Sequence, residues 1–215
     1  MTKNSLIACN PNYTGDTNED GLPHGHGVME FACGGRYEGQ WKNGWQGGDG
    51  VYENPDGFRY DGQWDLGKMY GQGIAEFPNG DRYEGWWEVG YIHGRGVYEY
   101  ADGDCYKGLW KYGEPNGHGV YEYADGGRYK GRWKDGKAHG HGVMEFAGGD
   151  RYEGQHKDGL PHGRSILVES GGDRFTTLWE NGKLVTMEEL QSIMDDLTLE
   201  QLLKHSESIV QERYQ

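Results

Sequence analysis

Apolar and polar residues alternate along this chain in short runs, and the runs return every 23 residues. In Tyr37-Glu38-Gly39-Gln40-Trp41, an extended backbone puts Tyr37, Gly39 and Trp41 on one face and Glu38 and Gln40 on the other. The same run recurs at Tyr60 to Trp64, Tyr83 to Trp87, Tyr106 to Trp110, Tyr129 to Trp133 and Tyr152 to His156, with a worn copy from Phe175 to Trp179. A second run, such as Val97-Tyr98-Glu99-Tyr100, follows a glycine doublet such as His93-Gly94-Arg95-Gly96. Between the runs stand Asn-Gly and Asp-Gly pairs, among them Asn43-Gly44, Asp56-Gly57, Asn79-Gly80 and Asp135-Gly136. These are the residues that primed hairpin turns require, because both turn positions need φ > 0.

Two turns per unit predict two antiparallel strands per unit. The expected fold is mainly β: a single-layer antiparallel meander, elongated and curved, rising about 10 Å per unit and roughly 65 Å over seven units. The glycine between two rings leaves room for them to lie on neighbouring backbone, which suits a twisted sheet. The array is expected over 13–184, after a tail at 1–12. Tyr13-Thr14-Gly15 stands 24 residues before Tyr37 and reads as an incomplete first unit. Capping-box signatures at Thr186-Met187-Glu188-Glu189 and Thr198-Leu199-Glu200-Gln201 predict a C-terminal helical segment within 185–215, serving as a cap or docking on a partner. Glutamates 30, 53, 76, 99, 122 and 145 and arginines 36, 59, 82, 128, 151 and 174 form columns of the same period, with Cys105 the one gap in the second. Cross-strand Glu/Arg pairs are expected there, as a solvated face that sets register.

Composition narrows the function. Glycine supplies 40 of 215 residues while aliphatics are scarce, so the rings must provide the core. A net charge of −14 without a basic run disfavours nucleic acid and anionic lipid surfaces. Three scattered cysteines read as reduced thiols, and no apolar run reaches the length of a signal peptide or membrane span, which suggests a cytoplasmic protein. His24-x-His26 and His139-x-His141 suggest a metal, but the histidines are one repeat column with no acid or cysteine to close a site. No Gly-x-Ser-x-Gly and no phosphate loop is present, so neither catalysis nor a cofactor is expected.

Tyr-Glu-Gly-x-Trp followed by a turn and His-Gly-x-Gly resembles the MORN repeat (membrane occupation and recognition nexus) over roughly residues 13–184. The resemblance implies a grooved β-meander, often closed by a C-terminal helix. A short acidic array is most similar to the family's radial-spoke-head and cytoskeletal members. It implies a non-catalytic scaffold for axonemal or cytoskeletal protein partners, as a homodimer or hetero-oligomer. The alternative implied by the family name is a membrane adaptor that reads phosphoinositides. Departures occur at Gln46-Gly47-Gly48, which lacks the histidine, at His156 in a tryptophan slot and at Thr177 in a glycine slot.

A single sheet has no second layer, so an aromatic groove is the expected partner site. Its candidates are Tyr37, Trp41, Tyr60, Trp64, Tyr83, Trp87, Tyr106, Trp110, Tyr129, Trp133 and Tyr152, which also form the only available core. Trp45, Trp86 and Tyr91 lie outside the repeat's own needs and are the sharper candidates for recognition.

Overall fold

The computed structural model describes residues 12–186. Strands β1 (Asn12–Thr17) and β2 (Pro23–Glu30) open the sheet. Each later unit adds a pair: β3 (Arg36–Lys42) and β4 (Trp45–Glu53), then β5 (Arg59–Asp65) and β6 (Lys68–Glu76). Next come β7 (Arg82–Glu88) and β8 (Tyr91–Glu99), then β9 (Cys105–Lys111) and β10 (Glu114–Glu122). The C-terminal units supply β11 (Arg128–Lys134) and β12 (Lys137–Glu145), then β13 (Arg151–Lys157) and β14 (Leu160–Val168). Finally β15 (Arg174–Glu180) and β16 (Lys183–Leu184) complete one antiparallel sheet in strict sequence order. The meander and the two strands per unit are as expected. Asn12, assigned to the tail from sequence, begins β1. The predicted helical segment, from residue 187 on, lies outside the described residues.

The two turns of a unit are not alike. Those after Tyr-x-Gly-x-Trp are primed, with both positions left-handed, as at Asn43 (φ 51°) and Gly44 (φ 89°). The turns that precede each Tyr-x-Gly-x-Trp run, such as Asp56-Gly57 and Asn79-Gly80, were expected to be primed too, but only their glycine has positive φ, as at Gly57 (98°). There Asn54 N–H donates to Phe58 O and Gly57 N–H to Asn54 O. That pattern is a type I turn with a glycine bulge.

The glycine doublet serves two purposes. Its first member, such as Gly71 at φ 62°, sits where the register slips between β5 and β6, bending each hairpin. Its second member, such as Gly73, lies beneath a tyrosine ring, where a methyl would stand 2.3 Å from the Tyr60 hydroxyl. The register aligns these glycines into one row, Gly39, Gly50, Gly62, Gly73, Gly85, Gly96 and onward to Gly154. Each tyrosine lies down across this row, and its hydroxyl donates to the carbonyl three residues ahead, Tyr60 to Gln63 at 3.0 Å and Tyr106 to Leu109 at 3.0 Å.

Tryptophans close the layer edge-on. Trp87 meets Tyr83 at 5.3 Å and Tyr60 at 5.2 Å, so each indole bridges two units. Its Nε1–H donates to Gly73 O at 3.3 Å. A one-layer sheet thus buries its core by laying rings on bare backbone. Units are also clipped by turn aspartates. Asp81 accepts from the Tyr98 hydroxyl at 2.7 Å and from Ala101 N–H at 2.9 Å, and Asp104 repeats this with Tyr121 and Ala124. Burial raises the pKa of Asp81, but its hydrogen bonds outweigh that and hold the carboxyl below its ordinary range.

Candidate protein-binding surface

The ring column occupies the core. Tyr37, Tyr60, Tyr83 and Tyr106 are wholly buried, and Trp41, Trp87, Trp110, Tyr129 and Tyr152 nearly so. Burial pushes their phenols up, that of Tyr129 to about 12. In these positions the rings offer a partner almost no surface. Trp64, Trp133 and Trp45 are half-buried, and Trp86 and Tyr91 are exposed. Alternation places Trp86 on the opposite face from Tyr83 and Trp87.

That opposite face is where the sheet makes a concavity. Side chains from β5 to β12 line one trough of about 1060 Å³. Its floor is an aliphatic row, including Ile74, Val97, Val120 and Val143, joined by Trp86 and Leu109. Sequence reasoning missed this row. The signal was present in the Val column that precedes each Glu of the acidic column, since alternation turns it away from the rings.

The trough is charged in blocks. Glu38, Asp61 and Glu84 occupy one repeat slot on β3, β5 and β7, whereas Lys107 and Lys130 occupy it on β9 and β11, and Glu153 on β13. Arg95 in the lining adds to the basic block, and Arg132 stands beside it on the same face of β11 as Lys130. The acids of the slot are tied to the arginine two residues earlier, Arg59 to Asp61 at 2.9 Å and Arg82 to Glu84 at 2.6 Å. Expected cross-strand pairs also form, Arg59 with Glu53 at 3.4 Å and Arg82 with Glu99 at 3.3 Å. At the Cys105 gap, Lys107 takes over and reaches Glu122 at 2.7 Å.

The histidine column caps turns. The Nδ1 atoms of His24, His139 and His162 accept from the backbone N–H of Asn43, Asp158 and Asn181, each 19 residues on, at 3.4 to 3.5 Å. Among the described residues no group of three His, Cys, Asp or Glu side chains is placed to hold a metal.

His156 fills a tryptophan slot between Tyr129 at 5.0 Å and Tyr152 at 5.1 Å, and burial pushes its pKa below the ordinary histidine value. The fold therefore holds the neutral ring, while the unfolded chain takes up the proton as pH falls below about 6.5. Stability from this site is complete above that pH and is lost below it. His156→Trp, which restores the residue of the other units, is expected to raise the melting temperature more at pH 5.5 than at pH 8. Thermal melts of both proteins across that range provide the check. An equal difference at both pH values would show that His156 is not held neutral.

The model of one family, the MORN repeat, matches seven consecutive segments from residue 19 to residue 164. The chain belongs to the MORN-repeat family. MORN matches at 37–59, 60–82, 83–105, 106–128 and 129–151 keep the 23-residue period, and the last, 152–164, stops short of Ser165. In the unit beyond, Ser165 and Thr177 replace glycines and bond to each other at 2.7 Å, with Trp179 Nε1–H donating to Thr177 at 3.0 Å. Among curated proteins none matches this MORN chain significantly. Among solved structures, it is similar to the SAS-4 (dCPAP) TCP domain of Drosophila melanogaster in complex with a proline-rich motif of Ana2 (dSTIL). That likeness has 9% identity and a TM-score of 0.47, covering 83% of this chain and 96% of that one. It is also similar to the microcephaly protein CPAP G-box domain, at 14% identity and TM-score 0.42, covering 79% and 99%.

Proposed function

We propose that this protein is a non-catalytic MORN scaffold that holds protein partners in the trough opposite its rings, as a structural component of a ciliary axonemal radial spoke or another cytoskeletal assembly. The observation that carries the reading is the trough itself. Val97, Val120, Leu109 and Trp86 line it outside the ring core, and large apolar strips of that kind serve contact. Its charge blocks fit a partner segment whose basic end lies over Asp61 and Glu84 and whose acidic end lies over Lys107 and Lys130. The ciliary placement rests on the likeness of a short acidic array to radial-spoke-head members.

The experiment is proximity labelling from a tagged chain in ciliated cells, compared with a Val97→Asp/Leu109→Asp variant. Axonemal or other cytoskeletal proteins labelled by the wild type and lost with the variant, at unchanged melting temperature, are the expected result. Unchanged labelling would show that the trough does not hold these partners.

The basic block of Arg95, Lys107, Lys130 and Arg132 is the one feature that favours a phosphoinositide-binding adaptor instead. Co-sedimentation with phosphoinositide vesicles is expected to show no binding even at low salt. Strong binding that weakens with salt would favour the lipid reading.

A further inference from the structure

The primed turns of the seven Tyr-x-Gly-x-Trp-type hairpins line one long edge of the sheet, away from the trough floor. Four of them carry Asn43, Asp135, Asp158 and Asn181 in the left-handed slot, residues that tolerate it. The central three carry Leu66, Val89 and Tyr112, at φ 47°, 51° and 51°. A β-branched residue such as valine is a rare occupant of that region. Burial does not compensate, since Leu66 is 66% exposed, Val89 49% and Tyr112 66%. Tyr91, 57% exposed, stands edge-on to Tyr112 at 6.4 Å, and His93 contacts the same ring at 5.7 Å. The apolar tips therefore form a ridge that the isolated chain does not use.

The residues flanking the tips say what covers it. Trp45, Asp65, Lys68, Glu88, Tyr91, Lys111, Glu114, Lys134 and Lys137 succeed one another along the edge, one per strand from β4 to β12. Reversing this row about Tyr91 sets Glu88 against Lys111, Lys68 against Glu114 and Asp65 against Lys134, and places Lys137 on Trp45. Moving the axis by one strand leaves fewer opposite charges facing, only Asp65 with Lys111 on one side or Glu88 with Lys134 and Asp65 with Lys157 on the other, and brings Lys42 against Lys134 or Lys68 against Lys137. About Tyr91 the one like-charge pair, Lys42 with Lys157, falls beyond the end of the matched row. The reversed tips also fall into the gaps between tips, with Val89 of one copy entering between Val89 and Tyr112 of the other.

We propose that this ridge is a homodimer interface, in which a second copy of the chain packs about a two-fold axis through Tyr91. The pattern is self-complementary, as a closed two-fold contact requires. The strip is about 40 Å long at the strand spacing and narrow, at the small end of specific interfaces. The expected assembly is therefore a dimer that dissociates on dilution and weakens with salt. It is independent of whatever the trough binds.

Sedimentation equilibrium of the full chain across about three decades of concentration tests this. The wild type is expected to shift from monomer to dimer. The triple variant Leu66→Asn/Val89→Asn/Tyr112→Asn relieves the turn geometry, so it should melt at the same or a higher temperature yet dimerise at least tenfold more weakly. Glu88→Lys alone should weaken the dimer, and Glu88→Lys with Lys111→Glu in the same chain should restore it. A monomer at every concentration, a dimer untouched by the triple variant, or a double variant that fails to recover would each overturn the proposal.

Discussion

Gly96→Ala is expected to destabilise the protein by about 2–3 kcal/mol, and Tyr83→Ala by about 3–5 kcal/mol, while the double variant costs well below their sum. The reason is geometric. A methyl on Gly96 would stand 2.2 Å from the Tyr83 hydroxyl and 2.5 Å from two ring carbons, and Gly85 lies across the ladder. The ring cannot yield, because Trp87 and Trp110 hold it edge-on at 5.3 and 5.7 Å and its hydroxyl is bonded to Trp86 O at 3.1 Å. Removing the ring removes the three atoms nearest the methyl, so the two losses overlap. Urea titrations of the wild type, both single variants and the double variant give the coupling. Additive losses would mean that ring and glycine are not in contact.

Trp110→Ala is expected to cost about 3–5 kcal/mol and to loosen a bounded stretch of the sheet. Trp110 is 5% exposed, touches Tyr106 at 4.9 Å and Tyr83 at 5.7 Å, and donates to Gly96 O at 3.4 Å. It thereby joins β7, β8 and β9. Among the described residues the sheet is strictly sequential, so no packing between distant units carries the damage further. Hydrogen exchange should quicken across β7 to β11 and stay near wild type in β2, β3, β13 and β14. Uniform quickening along the chain would show that the units melt as one body.

The meander was legible in the sequence because period, alternation and turn chemistry all state the same structure. The difference between the two turns was not, since an Asp-Gly pair serves either a primed turn or a type I turn with a bulge. The aromatic column was legible as core but was also read as an exposed groove, on the argument that one layer cannot cover itself. Recumbent rings on a glycine row do cover it, and that geometry depends on the register between strands, which Tyr37 or Gly50 alone does not disclose. The trough was hidden for the same reason. Val97 and Leu109 belong to different runs and become neighbours only through the β8 and β9 pairing. The ridge was within reach, because Leu66, Val89 and Tyr112 occupy the slot that Asn43 and Asp135 fill elsewhere.

On the function proposed above, the ring face of the sheet holds the fold and the trough face makes contact. Site-specific photo-cross-linking in ciliated cells tests this division most directly, with a benzophenone amino acid placed at Val97 or Leu109 in the trough and at Phe146 on the ring side. The prediction is one shared set of cross-linked proteins from the two trough positions and none of them from Phe146. The same partners captured from Phe146, with silence at Val97 and Leu109, would contradict it.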